Sequence, residues 1–272
     1  MHNIDRTHTA INGRTDIGLV RSENEDSISW YSDPNRPFSF IVIADGMGGY
    51  HGGATASAIA TSTIDEELKT LVNTTFFHCS PDQQVLMLQA KLNQSIKLAN
   101  QRILERKSIN PDLTQMGTTI VCALVWQQNL IIAHIGDSRA YLWDKRGLAR
   151  LTKDDSIVQQ MIDEGRLTAE AARESKVRNQ LTKALGVTLD VDPTLNCFSI
   201  NHDSILMLCS DGLTEYVNDG YIERLLATYR PALECCYRFI DDANHAGGKD
   251  NISVAIAEIN CTVQQQVKTA LT

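Results

Sequence analysis

The sequence predicts a single α+β domain whose antiparallel strands deliver acidic residues to one end. Three observations predict it. The runs GTTIVCALVW, NLIIAHIGDSRAYLWD and GLARLT between residues 117 and 152 have period-two, β-rich character, and Gln127-Gln128-Asn129 between the first two is a hairpin-length connection, so neighbouring strands run antiparallel. Between Ser80 and Asn110, by contrast, Val85, Leu88, Leu92, Ile96, Ala99 and Ile103 recur at spacings of three and four, the stripe of a long helix with one face on a core. No Pro-, Gly- or Ser-rich linker divides the 272 residues, 43% of them hydrophobic, and a chain of this size can bury a large core as one unit.

In chain order, RTDIGLVRSENEDSISWY (residues 14–31) sets Arg21 four residues before Glu25 and Asp26, ahead of an alternating strand-like stretch. Taken alone this is a solvated charged turn. The next stretch, FSFIVIADGMGGYHGG (38–53), is the one around which the chain is organised. Phe38 to Ala44 reads as a buried strand that leaves Asp45 at its end, followed by five glycines that let the backbone approach an ion or a phosphate closely. A plain Asp-Gly turn would account for the same residues. The nucleotide patterns do not fit: the P-loop lysine is missing, and G-x-G-x-x-G meets His51 at its last glycine. ATASAIATSTIDEEL follows as a helix whose amino end sits over the glycine loop.

Ser80-Pro81-Asp82-Gln83 starts the long helix, with Ser as N-cap, Pro in the first turn and Gln three residues after the cap; Asn110-Pro111 ends it. Asp137 closes the strand in IAHIGDSRAYL, Asp211-Gly212 ends the buried strand in SILMLCSDGLTEYV, and Asp250 directly precedes the last strand in GGKDNISVAIAEI. Residues 153–186 interrupt the strands with two short helices, capped at Ser156 and Thr168 and stopping near Gly165 and Arg173. This insertion is either a surface excursion or a flap that meets the substrate.

Bulk properties narrow the function. A formal net charge of −8 without a Lys/Arg cluster excludes nucleic acid and anionic membranes as partners. The first 20 residues lack a signal-peptide core, and the longest apolar runs, such as Ile120 to Trp126, cannot span a bilayer. A cytoplasmic monomer is expected. Seven cysteines without a C-x-x-C pair indicate reduced thiols, with Cys235-Cys236 on a helix. A cysteine-based phosphate chemistry at His78-Cys79 would need an arginine where Val85 stands.

Five separate stretches thus bring carboxylates to strand ends or adjoining turns: Glu25 with Asp26, Asp45, Asp137, Asp211 and Asp250. Gathered at one end of a sheet they repel one another unless cations neutralise them. Hard oxygen donors without a His or Cys cluster select Mg²⁺ or Mn²⁺. Two such ions sharing a carboxylate activate a water for in-line attack at phosphorus, and an arginine beside them holds the phosphoryl oxygens. Hydrolysis of a phosphate ester follows from that set.

The ordered blocks GLVRSENEDS, IADGMGGYHGG, MGTTIVCAL, HIGDSRAYL, LTKDDSIVQQMIDEG, RNQLTKALG, LCSDGLTEYV and GGKDNISV, from about Thr15 to Ile259, resemble the metal-dependent serine/threonine protein phosphatases of the type 2C family in their bacterial form. The resemblance implies a four-layer αββα sandwich, two antiparallel sheets flanked by helices, with the metals at one end between the sheets. It implies that Asp45 bridges two Mn²⁺ or Mg²⁺ ions with the Gly46 carbonyl beside it, that Asp211 and Asp250 complete the first ion, and that Glu25 binds the second with Asp26 acting through water. Asp137 with Asp211 would hold a third, weaker ion. Arg21 would grip the substrate phosphate, and Asn251 would support Asp250. Substrates would be phosphorylated proteins, opposing a bacterial Ser/Thr kinase. The chain departs from the family pattern at Tyr50, where a histidine is usual and His51 comes one place late, at Ala54, at Asp155 in place of a histidine, and at Ser175-Lys176. Two other functions use the same fold: a phosphoprotein-binding module without catalysis, and a hydrolase of small phosphate esters.

Overall fold

The computed structural model describes residues 7–48, 51–71 and 74–261. Gly49 and Tyr50 of the glycine loop therefore lie outside the described residues. In chain order the elements are β1 (Thr7–Asp16), β2 (Asp26–Ser32), β3 (Phe38–Met47), α1 (Gly52–Lys69), α2 (Thr74–Phe77), α3 (Pro81–Ile109), β4 (Gly117–Thr118), β5 (Ile120–Trp126), β6 (Asn129–Ile135), β7 (Arg139–Asp144) and β8 (Gly147–Arg150). There follow α4 (Ile157–Asp163), α5 (Ala169–Arg173), β9 (Thr194–Ser199), β10 (Ser204–Cys209), α6 (Asp211–Thr214), α7 (Asp219–Thr228), α8 (Ala232–His245) and β11 (Ile252–Cys261). One sheet runs β1-β11-β10-β7-β8 and the other β2-β3-β5-β6-β9, with β4 on β3. Every pairing is antiparallel.

Strands covered on both faces read as unbroken apolar runs, and β3 shows how. Phe40, Val42 and Ala44 pack with Ala60, Ile64, Leu92 and Ile96 of α1 and α3. Ile41 and Ile43 alternate to the other side, where Val121, Ile132, Leu206, Leu208 and Ala255 fill the space between the sheets. On the far sheet Met207, Val254 and Ile256 face Leu226, Phe239 and Ile240 of α7 and α8. Three cores in series thus separate four layers, helix, sheet, sheet and helix.

Local chemistry sets the ends of α3. Ser80 accepts from the Gln83 amide while the Gln83 side chain accepts from the Ser80 amide, with Pro81 in the first turn. At the other end Asn110 is extended and caps a short 3-10 turn, Pro111–Leu113. The caps at Ser156 and Thr168 also form as expected, and Cys235 and Cys236 are buried on α8.

Three expectations shift. Helix α1 starts at Gly52, two residues early. Strand β3 runs on to Met47 because Gly46 and Met47 pair with Thr118 and Gly117 of β4, so Asp45 lies within a strand and not at its end. The stretch NLIIAHIGDSRAYLWD is two strands in different sheets, and the chain crosses between them at Gly136, where φ is +103°. That left-handed conformation favours glycine.

Removing the cap of α3 isolates its contribution. Ser80→Ala should lower stability by about 1 kcal/mol, read as a drop in urea midpoint at unchanged m-value.

Candidate metal centre

Strand register brings the first two predicted acids, Asp26 and Asp45, together. Along β3 the residues facing the other sheet are Ile41 and Ile43, and alternation puts Asp45 next on that face. Asp26 stands directly opposite Asp45 in the β2–β3 ladder, two places along from the Ile28–Ile43 pair. On the other sheet Ser253 precedes Ala255 and Ala257 in the same alternation, and Ser210 follows Leu208. The inter-sheet layer is therefore apolar in its middle and turns polar at one end.

Hydroxyl groups organise that end. Ser210 donates to Asp26 Oδ2 at 2.9 Å and accepts from the Ser253 amide at 3.0 Å. Thr119 accepts from the Asp45 amide at 3.1 Å and pairs with Ser138 at 2.8 Å, while the Thr118 hydroxyl donates to the Asp45 carbonyl at 2.9 Å. Asp26 Oδ1 is buried without a partner among the described residues. None of these hydroxyl residues was singled out by the sequence reading, although their parity with neighbouring core positions is a signal for Ser210 and Ser253.

The turn carrying Arg21 and Glu25 is tied down by Asn251. Its Oδ1 accepts from the Glu25 amide at 2.8 Å, and its Nδ2 donates to the carbonyls of Ile17 at 2.9 Å and Glu23 at 3.0 Å. Arg21 reaches Asp250 with a 2.7 Å ion pair while its side chain stays 48% exposed. The Glu25 carboxylate accepts from the Gly53 amide in the first turn of α1 at 3.1 Å. What approaches these glycines is the chain itself: a Cβ on Gly53 would fall 2.4 Å from Glu25 Oε1, and one on Gly46 would fall 2.2 Å from the Gly53 carbonyl oxygen.

The electrostatics record the crowding. Burial pushes Asp26 up to about 7, with Asp211 and Asp250 adding to it. Burial, then Asp26, Asp211 and Asp137, holds Asp45 well above the usual carboxylate range. Asp137 is raised by burial, Asp211 and Asp154 against the Arg139 guanidinium, and Asp211 by burial and Asp250. Burial also raises Glu25. All six predicted acids, with Arg21, thus belong to one neighbourhood, and Asp137 and Asp211 also line a cavity of about 500 Å³ that runs between α6 and the insertion.

These residues fit divalent cations. Asp211 is one of the acids whose charge raises Asp45, and buried carboxylates that repel one another are relieved by a proton or a cation. Among the described residues no three acidic, histidine or cysteine side chains close on one point. Hard divalent cations such as Mg²⁺ and Mn²⁺ take carboxylate oxygens of this kind together with several waters, so the acids need not close on one point before a cation binds.

Protons and cations therefore compete for this site. Because the folded pKa of Asp26 exceeds the unfolded value near 3.9, the cation-free fold holds its proton longer. The Asp26 contribution to stability is then complete below about pH 4 and is lost as pH rises through about 7. In chelator, Tm should drop between pH 5 and 8, and Asp26→Asn should flatten the drop, passing wild type at pH 8; parallel profiles would contradict the assignment.

Comparison with known proteins agrees with this arrangement. The family description Protein phosphatase 2C matches residues 20–251. The serine/threonine protein phosphatase PstP of Mycobacterium tuberculosis is 36% identical over 246 residues, 90% of this chain but 44% of that protein, so the chain spans less than half of that relative's length. The serine/threonine phosphatase stp of Listeria monocytogenes is 34% identical over 250 residues, covering 92% of this chain and 95% of its own. A crystal structure of the catalytic domain of PstP in complex with two manganese ions superposes with a TM-score of 0.79 at 33% identity, covering 93% of this chain and 99% of that one. With the fold, the order of the motifs and the gathered acids all in agreement, the chain belongs to the protein phosphatase 2C family.

Proposed function

We propose that the protein is a metal-dependent phosphatase that hydrolyses phosphoserine and phosphothreonine in proteins, using Mn²⁺ or Mg²⁺. The observation that carries this reading is the convergence of carboxylates from five segments on one end of the inter-sheet layer, beside an arginine at its mouth. A phosphoprotein-binding module has no need to keep repelling carboxylates together. In this reading Asp45, with the Gly46 carbonyl, would be shared by two cations, Asp211 and Asp250 would help hold the first, Glu25 and, through water, Asp26 would help hold the second, and Asp137 with Asp211 would hold a third. Bound there, the ions supply a nucleophilic water at neutral pH and offset charge on the phosphoryl group.

The chain's own groups do the rest. Arg21, held at the mouth by Asp250, offers a planar fork to two phosphoryl oxygens. Asn251 fixes the Glu25 backbone and the turn that carries Arg21. The hydroxyls of Ser210, Thr118 and Thr119 fix the Asp26 side chain and the Asp45 backbone. His51 pairs with Glu23 at 2.6 Å, which raises its pKa, and is exposed at the start of α1. We read residues 1–272 as one catalytic domain with 153–186 as its flap. Among the described residues no helix is long and apolar enough to cross a membrane; a cytoplasmic monomer opposing a Ser/Thr kinase completes the reading.

Phosphopeptide hydrolysis should require added Mn²⁺ or Mg²⁺ and stop with chelator, and Asp45→Asn should remove nearly all turnover while the protein stays folded. Normal turnover with normal cation binding by calorimetry would reduce Asp45 to a strand residue. Arg21→Ala should keep the cations but lower kcat/KM by roughly ten- to two-hundredfold, the loss of a charge-assisted contact of about 1.5 to 3 kcal/mol. Arg21→Lys should recover little, and inhibition by inorganic phosphate should weaken in step.

A further inference from the structure

Asp137 occupies the turn by which the chain leaves one sheet and enters the other, and two consecutive carboxylates at the start of the flap hold that turn from both sides. On one side Asp155 Oδ2 accepts from the Gly136 amide at 3.1 Å, and the Asp155 amide donates to the Gly136 carbonyl at 2.8 Å. On the other, Asp154 takes the Arg139 guanidinium in a fork, 3.0 Å from Nε and 2.7 Å from Nη2, and also pairs with Arg150. The returning end of the flap meets the same residue. The Asp155 carbonyl accepts from the Thr182 amide at 2.8 Å, and its Oδ1 lies 3.3 Å from Lys183 Nζ. The Asp155 side chain is 13% exposed and that of Lys183 51%, so the bond to Gly136 is the inner, sheltered one.

We propose that Asp155 is a positioning residue for the Asp137 carboxylate: with Asp154 it straddles the Gly136–Arg139 turn and fixes that turn to both ends of the flap. Gly136 has left-handed φ and is pressed against Thr119, which a Cβ would meet at 2.7 Å. The two bonds grip the peptides on either side of the Gly136 Cα: the Asp155 carboxylate holds the N–H of the Ile135–Gly136 peptide and the Asp155 N–H holds the carbonyl of the Gly136–Asp137 peptide, so together they oppose rotation about the Gly136 dihedrals that aim Asp137. The consequence is that the flap and the Asp137 side chain move as one body. The cation part of the proposal rests on the reading of Asp137 as a ligand.

The test compares wild type, Asp155→Ala, Asp155→Asn, Lys183→Ala and Asp137→Asn. Gly136 amide exchange is followed by NMR in chelator, and Mn²⁺ binding by calorimetry. Asp155→Ala should speed Gly136 exchange by about tenfold and weaken the weakest Mn²⁺ phase by about tenfold, toward the isotherm of Asp137→Asn, as expected for loss of one charge-assisted hydrogen bond. Asp155→Asn should restore both, since its Oδ1 can accept from the same amide, and Lys183→Ala should change neither. If Asp155→Ala is too unstable to measure, Asp155→Glu keeps the charge but is one methylene too long, and should show the same loss. A fall in Tm with unchanged Gly136 exchange and unchanged Mn²⁺ binding would overturn the proposal, as would equal impairment of the Ala and Asn variants. If Asp137→Asn binds Mn²⁺ as wild type does, the ligand reading fails, and the clamp then stands or falls on the Gly136 exchange rate alone.

Discussion

Carboxylates buried within reach of one another are the constraint to which the rest of this structure answers. Asp26, Asp45, Asp137 and Asp211 are all raised first by burial and then by acidic neighbours. An arrangement of this kind opposes folding at neutral pH unless cations bind, since each ionised group loses solvation and meets like charge. The sandwich supplies the opposing energy. Three apolar cores flank and separate the sheets, and the acids are confined to one edge of the middle one. Stability and cation affinity are thereby linked, because whatever neutralises the acids also relieves the fold.

Much of this was legible in the sequence because both determinants are local patterns. Strands covered on two faces appear as runs such as Phe38–Ala44 and SILMLC, and an acid breaking such a run marks where the cover ends. The caps of α3, α4 and α5 were equally readable, each being a side chain that accepts from an amide three residues on. The misses have a common origin. β1 and β9 are edge strands with partly or largely exposed side chains, so THTAINGRTD and TLNCFS show no apolar face. Their pairing is dictated by β11 and β6, far away in sequence. Gly46 weakens strand propensity, so the sequence alone shows Asp45 at a strand end, and the two-residue β4 that extends the ladder is a tertiary contact.

Roles are harder to read than positions. The glycines of the loop suggested room for a ligand, whereas Gly46 and Gly53 let β3, α1 and the Glu25 turn touch. A missing Cβ records that something comes close without saying what. Charged residues behave the same way. Arg21 and Glu25 read as a solvated turn until Asn251, more than two hundred residues later, is seen to hold that turn through the Glu25 amide and the Glu23 carbonyl.

The crossing at Gly136 ties the 153–186 insertion to the sandwich. A chain that alternates along one sheet keeps its acids on one edge, but Asp137 belongs to neither ladder, since β6 ends at Ile135 and β7 begins at Arg139. Its placement must come from elsewhere: Thr119 holds Ser138 on one side of it, and further bonds run to Asp154 and Asp155, where the insertion begins. The same segment is bridged to the insertion's far end through Ser156–Leu181 and Thr182. The flap is thus anchored on the turn it orders. An insertion rooted in this way cannot shift without pulling on an acid of the site, so changes in the flap that leave every predicted ligand in place can still be felt at Asp137.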